Sequence, residues 1–460
     1  MNAARPDAQM LRELIATRPG LRLSGPGADL TAIDVGTTTV FPAAASNFAG
    51  KSILIGSQTQ INSARALIEL DGIAARLVVC PPDFTPERLA SVIEQAQVDV
   101  VVSDTPQKVF GGARPIYLCQ DAVPLDNARK PGPLRSQWLL PTSGTTGPPK
   151  LVAHTLSSLL GAISQPLAQE SSPVWATFYD IRRYGGLQIF LRACVTGATL
   201  VLSDADEALD DHIARCRLAG VTHISGTPSH WRRHLMNPNF GLINPDYIRL
   251  SGEIADRPIL SALRGAYPRA RIVHAYASTE AGVGFEVVDE QEGFPASFLG
   301  ARDGIELRLR DGSLHIRSSR TASAYVGRDD LKLRDDDGFV DTDDLVEQRG
   351  ERCYFKGRRT GVINVGGLKV HPEEVEQVIN SHDHVRMSRV SGKRNPIVGD
   401  IIVADVVLRD SNETSGGESL KQEIMDLCRA RLARHMVPVT IRFTPALDVL
   451  ASGKLARHHA

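Results

Sequence analysis

The sequence has no excess of charge, few aromatic residues and no clustered cysteines. Its formal net charge is -1 at pH 7, and aromatic residues make up 5% of its 460 positions. Without surplus Lys and Arg there is no electrostatic basis for nucleic acid or an anionic membrane as a partner. The six cysteines form no CxxC pair and lie near no histidine cluster, so we expect reduced thiols and no zinc site.

Long apolar runs are also missing. The most apolar stretch, "LQIFLRACVTGATLVL", is too short to span a bilayer and contains Arg192. The start, "MNAARPDAQM", lacks the basic residues and apolar run of a signal peptide. These features predict a cytoplasmic protein.

The length and the repeating pattern predict an α/β fold with more than one domain. From Lys51 onward, short β-branched runs alternate with amphipathic segments, as in "KSILIG", "QINSARALIELDGIA" and "ARLVVC". Such alternation is typical of parallel sheets flanked by helices. We therefore expect a large N-terminal domain of this kind, made of more than one subdomain.

The pattern becomes β-rich after Pro295. "GIELRLRDGSLHIRSS" predicts two strands around an Asp-Gly turn, and Pro372 suits the first position of a helix. A second amphipathic helix is predicted in "ESLKQEIMDLCRARLARHMVP". We place the boundary near Gly357, which divides the chain into residues 1–357 and a small α+β domain at 358–460.

One loop has the composition of a phosphate-binding cradle. "LLPTSGTTGPPK" offers backbone N–H groups at glycines, several hydroxyls and a cation at its rim. It is not a Walker loop, because the pattern G-x-x-x-x-G-K-[ST] is absent. The residues concerned are Thr142, Ser143, Gly144, Thr145, Thr146, Gly147 and Lys150.

"TSGTTGPPK" resembles the phosphate loop of the adenylate-forming (ANL) superfamily, and four later stretches match that family in its usual order. They are "YASTE", "DGFVDTDDLVE", "KGRRTGVINVGGLKVHPEEVE" and "LASGKLAR". The resemblance covers residues 51–457 and is closest to stand-alone AMP-forming acyl-CoA synthetases. It implies ATP, Mg²⁺ and coenzyme A as cofactors and a small carboxylic acid as substrate.

The resemblance also implies roles for individual residues. Lys454, Thr145 and Glu280 would be catalytic, with Glu280 holding Mg²⁺, and Asp344 and Arg358 would bind ribose or phosphate. The adenine and α-phosphate would be met by Gly252, Glu253, Tyr276, Ala277, Ser278 and Thr279. An aromatic ring at Tyr276 can stack on a purine, and a carboxylate at Asp344 can accept both ribose hydroxyls.

The implied reaction has two steps. The acid attacks the α-phosphate of ATP and expels pyrophosphate, and a thiol then attacks the acyl-adenylate and releases AMP. Between the steps the small domain would rotate about Thr360, withdrawing Lys454 and bringing Gly366 and Gly367 to the path of the thiol.

Some features leave alternatives open. Leu151 and Asp343 stand where relatives have glycine, so a degenerate, non-catalytic nucleotide-binding module is the alternative to an active enzyme. The thiol is either coenzyme A or the pantetheine of a carrier protein. In "RRYGGL", Arg182 or Arg183 either pairs with a second polar group of the acid or lies in a solvated loop, and Tyr184 and Gly185 are candidates for the acyl pocket.

Overall fold

The computed structural model describes residues 10–41, 45–105, 114–119, 121–125, 134–142, 149–163, 172–204, 206–328, 330–395, 399–409, 417–450 and 452–456. Its first part contains the strands β1 (Arg22–Gly25), β2 (Ala28–Thr31), β3 (Thr38–Thr39), β4 (Ser52–Ile55), β5 (Arg76–Val79), β6 (Val100–Ser103), β7 (Ile116–Leu118) and β8 (Val123–Pro124). The helices of this part are α1 (Leu11–Ala16), α2 (Ala32–Thr37), α3 (Gln60–Leu70) and α4 (Pro86–Gln95).

The middle of the chain continues the alternation of strands and helices. Its strands are β9 (Gln137–Pro141), β10 (Leu151–Thr155), β11 (Val174–Thr177), β12 (Thr199–Val201), β13 (His223–Gly226), β14 (Tyr247–Ser251), β15 (Arg271–Ser278) and β16 (Gly282–Val287). Its helices are α5 (Leu156–Leu160), α6 (Tyr184–Thr196), α7 (Leu209–Leu218), α8 (Pro228–Met236) and α9 (Arg257–Ala266).

The last part is richer in strands. It begins with β17 (Phe294–Pro295), β18 (Gly300–Arg302), β19 (Ile305–Arg310), β20 (Ser313–Ser318), β21 (Ala324–Val326), β22 (Val340–Arg349) and β23 (Arg352–Arg358). It ends with β24 (Ile363–Val365), β25 (Leu368–Val370), α10 (Pro372–Asn380), β26 (Val385–Asn395), β27 (Gly399–Leu408), α11 (Gly417–Arg431) and β28 (Thr440–Phe443).

Two large sheets form the centre of the N-terminal part. One has the strand order β16-β15-β14-β13-β11-β12-β1-β2, and its strands β11 to β15 run parallel to one another. The other has the order β21-β10-β9-β5-β4-β6-β7, with β4, β5 and β6 parallel. Because the carboxyl ends of parallel strands meet at one edge, the residues that follow β13, β14 and β15 lie near each other. The predicted α/β fold is confirmed.

The β-rich part and the C-terminal part form separate sheets. The hairpin predicted around Asp311 and Gly312 is present as β19 and β20, within the six-stranded order β17-β23-β22-β20-β19-β18. This sheet ends with β23 at Arg358, and the five-stranded C-terminal sheet begins at Ile363. A short 3-10 turn, Arg359–Gly361, connects the two and contains Thr360. The division at 357/358 itself stays a prediction.

The two C-terminal helices cover their sheet as their sequences predict. Pro372 is the first residue of α10, and Val375 and Ile379 on this helix are buried. Leu420, Ile424 and Cys428 make the buried stripe of α11. Both stripes belong to one apolar cluster, which gives this part of the chain a core of its own.

Candidate active site

The predicted phosphate loop is held at both ends by neighbouring antiparallel strands. β9 precedes it and β10 follows it, and the Thr142 amide donates to the Lys150 carbonyl at 2.8 Å. The Lys150 ammonium lies 5.5 Å from the centre of the Tyr325 ring on β21. Residues 143–148 lie outside the described part of the chain. They include the predicted nucleotide-binding residues Ser143, Gly144, Thr145, Thr146 and Gly147, whose roles stay predictions.

Leu151, which replaces a glycine of the family pattern, is a core residue. It begins β10, pairs with Pro141 and Val326 on the neighbouring strands, and is fully buried. The leucine therefore contributes its side chain to an apolar cluster of the core.

Asp344, Tyr276 and Arg358 meet in one cluster of hydrogen bonds. The Tyr276 hydroxyl donates to Asp344 Oδ2 at 2.5 Å, and Arg358 Nε donates to Asp344 Oδ1 at 3.2 Å. Burial first, and then the charge of Asp344, raises the pKa of Tyr276 well above its ordinary value. Tyr276 is therefore a neutral donor that orients the carboxylate.

The Tyr276 ring already takes part in an aromatic stack. It lies 5.2 Å from the Phe355 ring and 5.5 Å from the Phe285 ring, centre to centre and nearly parallel to both. Phe285 is its direct cross-strand neighbour on β16. Stacking of Tyr276 on a purine stays a prediction, and these two rings hold Tyr276 in place.

Asp343 occupies its unusual position without losing the local backbone shape. Its φ is 60°, the left-handed conformation that favours the glycine found there in relatives. Its carboxylate lies 3.0 Å from Arg359, which offers an ion pair at this turn. The acidic residue thus keeps the turn that points Asp344 toward Tyr276.

The stretch Tyr276–Glu280 includes the end of β15 and the turn that follows it. The Ser278 hydroxyl accepts from the Ala281 amide at 3.0 Å, and the Glu280 carbonyl accepts from the Ala322 amide at 2.9 Å. The Thr279 carbonyl accepts from His154 Nε2 at 2.7 Å. His154 is fully buried, and burial lowers its pKa to about 4, so the ring is a neutral structural donor.

Lys454 is brought to the same place from the far end of the chain. A Cβ added to Gly252, whose φ of 86° favours glycine, would lie 3.7 Å from Lys454 Cε. Burial, and then the nearby Arg358, lowers the pKa of Lys454, while Glu253, Asp344 and Glu280 oppose the shift. The structure therefore brings this lysine into electrostatic range of the predicted ribose and metal carboxylates.

The turn between β24 and β25 by itself explains why glycine occupies positions 366 and 367. Their φ values are 58° and 88°, and they form the tight turn between β24 and β25. The Gly367 amide donates to Asn364 Oδ1 at 2.9 Å. Their predicted contact with the thiol arm stays a prediction.

Arg182, a candidate for pairing with a polar group of the acid, is neither in a solvated loop nor open to solvent. Its side chain is 0% exposed and makes two hydrogen bonds to the Asp180 carboxylate, at 2.8 and 2.5 Å. Its remaining nitrogen donates to the carbonyls of Ser57 and Gln58 at 2.5 and 2.8 Å. These hydrogen bonds use four of the five N–H donors, so the enclosed guanidinium mainly joins two parts of the fold.

Arg183 and the following residues lie differently. Arg183 pairs with Asp83 at 2.5 Å near the surface. Tyr184 is buried beside His154, with the ring centres 5.7 Å apart, and a Cβ added to Gly185 would meet the Tyr179 ring at 3.4 Å. Aromatic rings therefore surround the predicted acyl stretch.

The partners that hold these motifs in place were not recognisable from the sequence. His154, Phe355 and Tyr325 lie 125, 79 and 45 residues in sequence from the motif residues Thr279, Tyr276 and Glu280 that they contact or influence. No local pattern marks them. The one available signal was that His154 is the single ionisable residue in the strand that follows the phosphate loop.

Comparison with known proteins identifies the family. A sequence profile described as AMP-binding enzyme matches residues 71–313, which is more than half of the chain. The chain belongs to the AMP-binding enzyme family. A second profile, the C-terminal domain of AMP-binding enzymes, matches residues 374–454. The family membership predicted from the ordered motifs is confirmed.

Named relatives of this AMP-binding enzyme are acid–CoA ligases. It is 24% identical to a 2-succinylbenzoate–CoA ligase of Bacillus velezensis over 87% of this chain and 80% of the relative. A ligase of the same name from Salmonella typhimurium is 26% identical over 85% and 82%. The predicted AMP-forming acid–CoA ligase class is confirmed, and the carrier-protein and non-catalytic alternatives are not favoured.

Solved structures share the fold of this AMP-binding enzyme over nearly its whole length. The anthranilate CoA ligase AuaEII with anthranoyl-AMP has a TM-score of 0.79 and 16% identity, covering 98% of this chain and 96% of that one. A benzoate CoA ligase from Burkholderia xenovorans has a TM-score of 0.78 and 19% identity, covering 97% of both chains.

The described part of the chain contains neither a membrane-spanning helix nor a cluster of metal ligands. Among the helices in the described ranges, none combines the length and apolar character needed to cross a bilayer. Within the same ranges, no group of three or more His, Cys, Asp or Glu side chains is arranged to hold a metal ion.

The Asp344 cluster leads to a testable prediction. In Asp344→Asn the side chain keeps its shape but loses the charge that pairs with Arg358, so we expect ATP to bind about tenfold more weakly. Equilibrium titration with ATP measures the change. Asp343→Gly, in the same acidic run and at a φ suited to glycine, is the control and should bind ATP like the unmodified protein.

Proposed function

We propose that this AMP-binding enzyme joins an aromatic carboxylic acid to coenzyme A through an enzyme-bound acyl-adenylate. The observation that carries the proposal is the position of Lys454 beside Gly252, within electrostatic range of Arg358, Asp344 and Glu280. A cation held among groups of this kind suits a reaction in which negative charge develops on phosphate and carboxylate oxygens.

In the first half-reaction the acid attacks the α-phosphate of ATP and pyrophosphate leaves. Lys454 holds the carboxylate and the α-phosphate together, and Lys150 at the rim of its loop offsets charge on the departing phosphates. Asp344 and Arg358 orient the ribose, with Tyr276 fixing the carboxylate of Asp344 by its hydrogen bond.

Glu280 fits a magnesium ion bound mainly through the nucleotide. Among the contacts of the described residues, its carboxylate makes no hydrogen bond or ion pair, while its charge influences Tyr325, Arg358 and Lys454. Mg²⁺ commonly takes one or two protein carboxylates together with phosphates and waters. When bound, the ion would offset charge on the phosphate oxygens.

The metal assignment predicts a specific defect. Removal of divalent ions with EDTA should abolish adenylation, and Glu280→Gln should raise the Mg²⁺ concentration needed for half-maximal rate about tenfold. Pyrophosphate release measured across a Mg²⁺ titration tests this. Glu351→Gln, at an exposed turn of the β-rich sheet, should leave the titration unchanged.

The second half-reaction uses the other face of the small domain. Rotation about Thr360 withdraws Lys454 and carries the turn at Gly366 and Gly367 to the adenylate, where the thiol of coenzyme A attacks the carbonyl and AMP leaves. The exposed position of both glycines in the present arrangement is consistent with a surface that becomes a binding face only after rotation.

An aromatic acid is the substrate class with the best support. The relatives are named for 2-succinylbenzoate, anthranilate and benzoate. In this chain the predicted acyl stretch brings Tyr179 and Tyr184 next to Gly185. Flat aromatic walls of this kind favour a planar ring over a flexible aliphatic chain.

The deciding experiment is pyrophosphate release with ATP and Mg²⁺ across benzoates, anthranilate, succinylbenzoate and aliphatic acids of equal size, with and without coenzyme A. We expect turnover with aromatic acids that becomes multiple only when coenzyme A is present. Preference for aliphatic acids would contradict the substrate class. Release limited to a single turnover with coenzyme A would contradict the acceptor.

A further inference from the structure

The Glu253 carboxylate links the two parts of the chain that meet at Lys454. Its Oε2 accepts from the Ser229 amide in the first turn of α8 at 2.9 Å. Its Oε1 accepts from the Leu455 amide, in the segment that carries Lys454, at 3.0 Å. The start of a helix favours a nearby negative charge, so the carboxylate of Glu253 suits this position at the start of α8.

Thr227 makes a second link beside the first. Its hydroxyl oxygen accepts from the His230 amide at 3.0 Å and so caps α8. The same hydroxyl donates to the Gly453 carbonyl at 2.5 Å. Thr227 is fully buried, so this hydrogen bond is shielded from water.

Gly453 allows this close approach. Its φ is 74°, and a Cβ added there would lie 1.9 Å from His230 Cε1. Burial lowers the pKa of His230 to about 3, so the ring against Gly453 is uncharged. The residues on either side of Lys454 are therefore both bonded to the large domain, one through Thr227 and one through Glu253.

We propose that Glu253 is a positioning residue which, with Thr227, forms a latch on Gly453 and Leu455 that holds Lys454 in the site during adenylation. Both latch hydrogen bonds break when the small domain rotates for the thioester step. The inference deepens the proposed function and rests on it, and it assigns the Glu253 side chain to domain positioning instead of nucleotide contact.

The direct test is Glu253→Gln. Glutamine keeps the shape but has only one accepting oxygen, so it cannot accept from the Ser229 and Leu455 amides together and the link between them is lost. We expect single-turnover adenylation to slow about tenfold, while thioester formation from supplied acyl-adenylate stays within about twofold. Trypsin cleavage after Lys454 in the ligand-free protein should accelerate about tenfold, because the segment opens more often.

Asp104→Asn is the matched control. Asp104 also accepts two backbone amides, from Gln58 at 2.6 Å and Thr59 at 2.9 Å, but both lie at the start of α3 in the large domain. Its loss should change neither the ratio of the two half-reactions nor the cleavage after Lys454. Gly453→Ala disturbs the latch from the segment that carries Lys454, because the added Cβ would collide with His230. It should reproduce the Glu253→Gln pattern, and it keeps the test informative if Glu253→Gln lowers the melting temperature.

Two results would overturn the latch. One is equal loss of both half-reactions in Glu253→Gln with unchanged cleavage after Lys454, which would place Glu253 on the nucleotide. The other is unchanged adenylation and cleavage in both variants. Cleavage needs neither acid nor coenzyme A, so a failure of the proposed substrate class leaves this readout intact and the two ideas are tested separately.

Discussion

Lys454→Ala is expected to slow adenylation by about 100-fold or more while the thioester step from supplied acyl-adenylate is largely retained. The magnitude is that of removing one preorganised group that stabilises developing charge. The selectivity follows from geometry, because Lys454 is at the site only while the segment at Gly453 and Leu455 is bonded to Thr227 and Glu253. Pyrophosphate release and thioester formation, measured in separate single-turnover experiments, give the two rates.

The pH dependence of the two half-reactions checks the same assignment. Burial lowers the pKa of Lys454, so its cationic form is lost at a lower pH than for an ordinary lysine. Adenylation should therefore decline as pH rises through that lowered pKa, and the thioester step should not share the decline. A decline shared by both steps, or an equal loss of both steps in Lys454→Ala, would contradict the assignment that Lys454 leaves the site between the two half-reactions.

Arg182→Met is expected to damage stability before it affects substrate recognition. The side chain is fully buried, and its loss removes the guanidinium donors of the Asp180 carboxylate and of two carbonyls. Removing one partner of a buried pair typically costs about 3–5 kcal/mol in the free energy of unfolding. Urea unfolding monitored by intrinsic fluorescence measures the loss.

Arg183→Met is the matched control for this prediction. Arg183 pairs with Asp83, whose side chain is 41% exposed, and surface pairs of this kind contribute about 0–1 kcal/mol. Its unfolding curve should nearly coincide with that of the unmodified protein. If Arg182→Met left the stability unchanged but altered the KM for the acid, the result would instead support a role for Arg182 in binding the acid.

The motifs that the sequence revealed are those in which the backbone demands a particular residue. A positive φ at Gly252, Gly366 and Gly367 favours glycine in any homologous turn, so these positions can be recognised in the sequence as glycines of a family motif. Asp343 shows the limit of such patterns, because it holds the left-handed conformation with a side chain. The order of strands and helices was predictable for a related reason, because the periodicity of apolar residues and the composition of each segment are properties of the local sequence.

The sequence alone therefore determined the α/β fold, the family and the ordered set of candidate site residues. Only the tertiary structure decided which side chains remain available for chemistry. Arg182 looked like an anion receptor and is enclosed by Asp180 and by carbonyls more than 120 residues away. Glu253 looked like part of the adenine site, but its carboxylate bonds to Leu455, 202 residues later. Such partners are set by packing between distant segments, and packing leaves no local pattern from which they can be predicted.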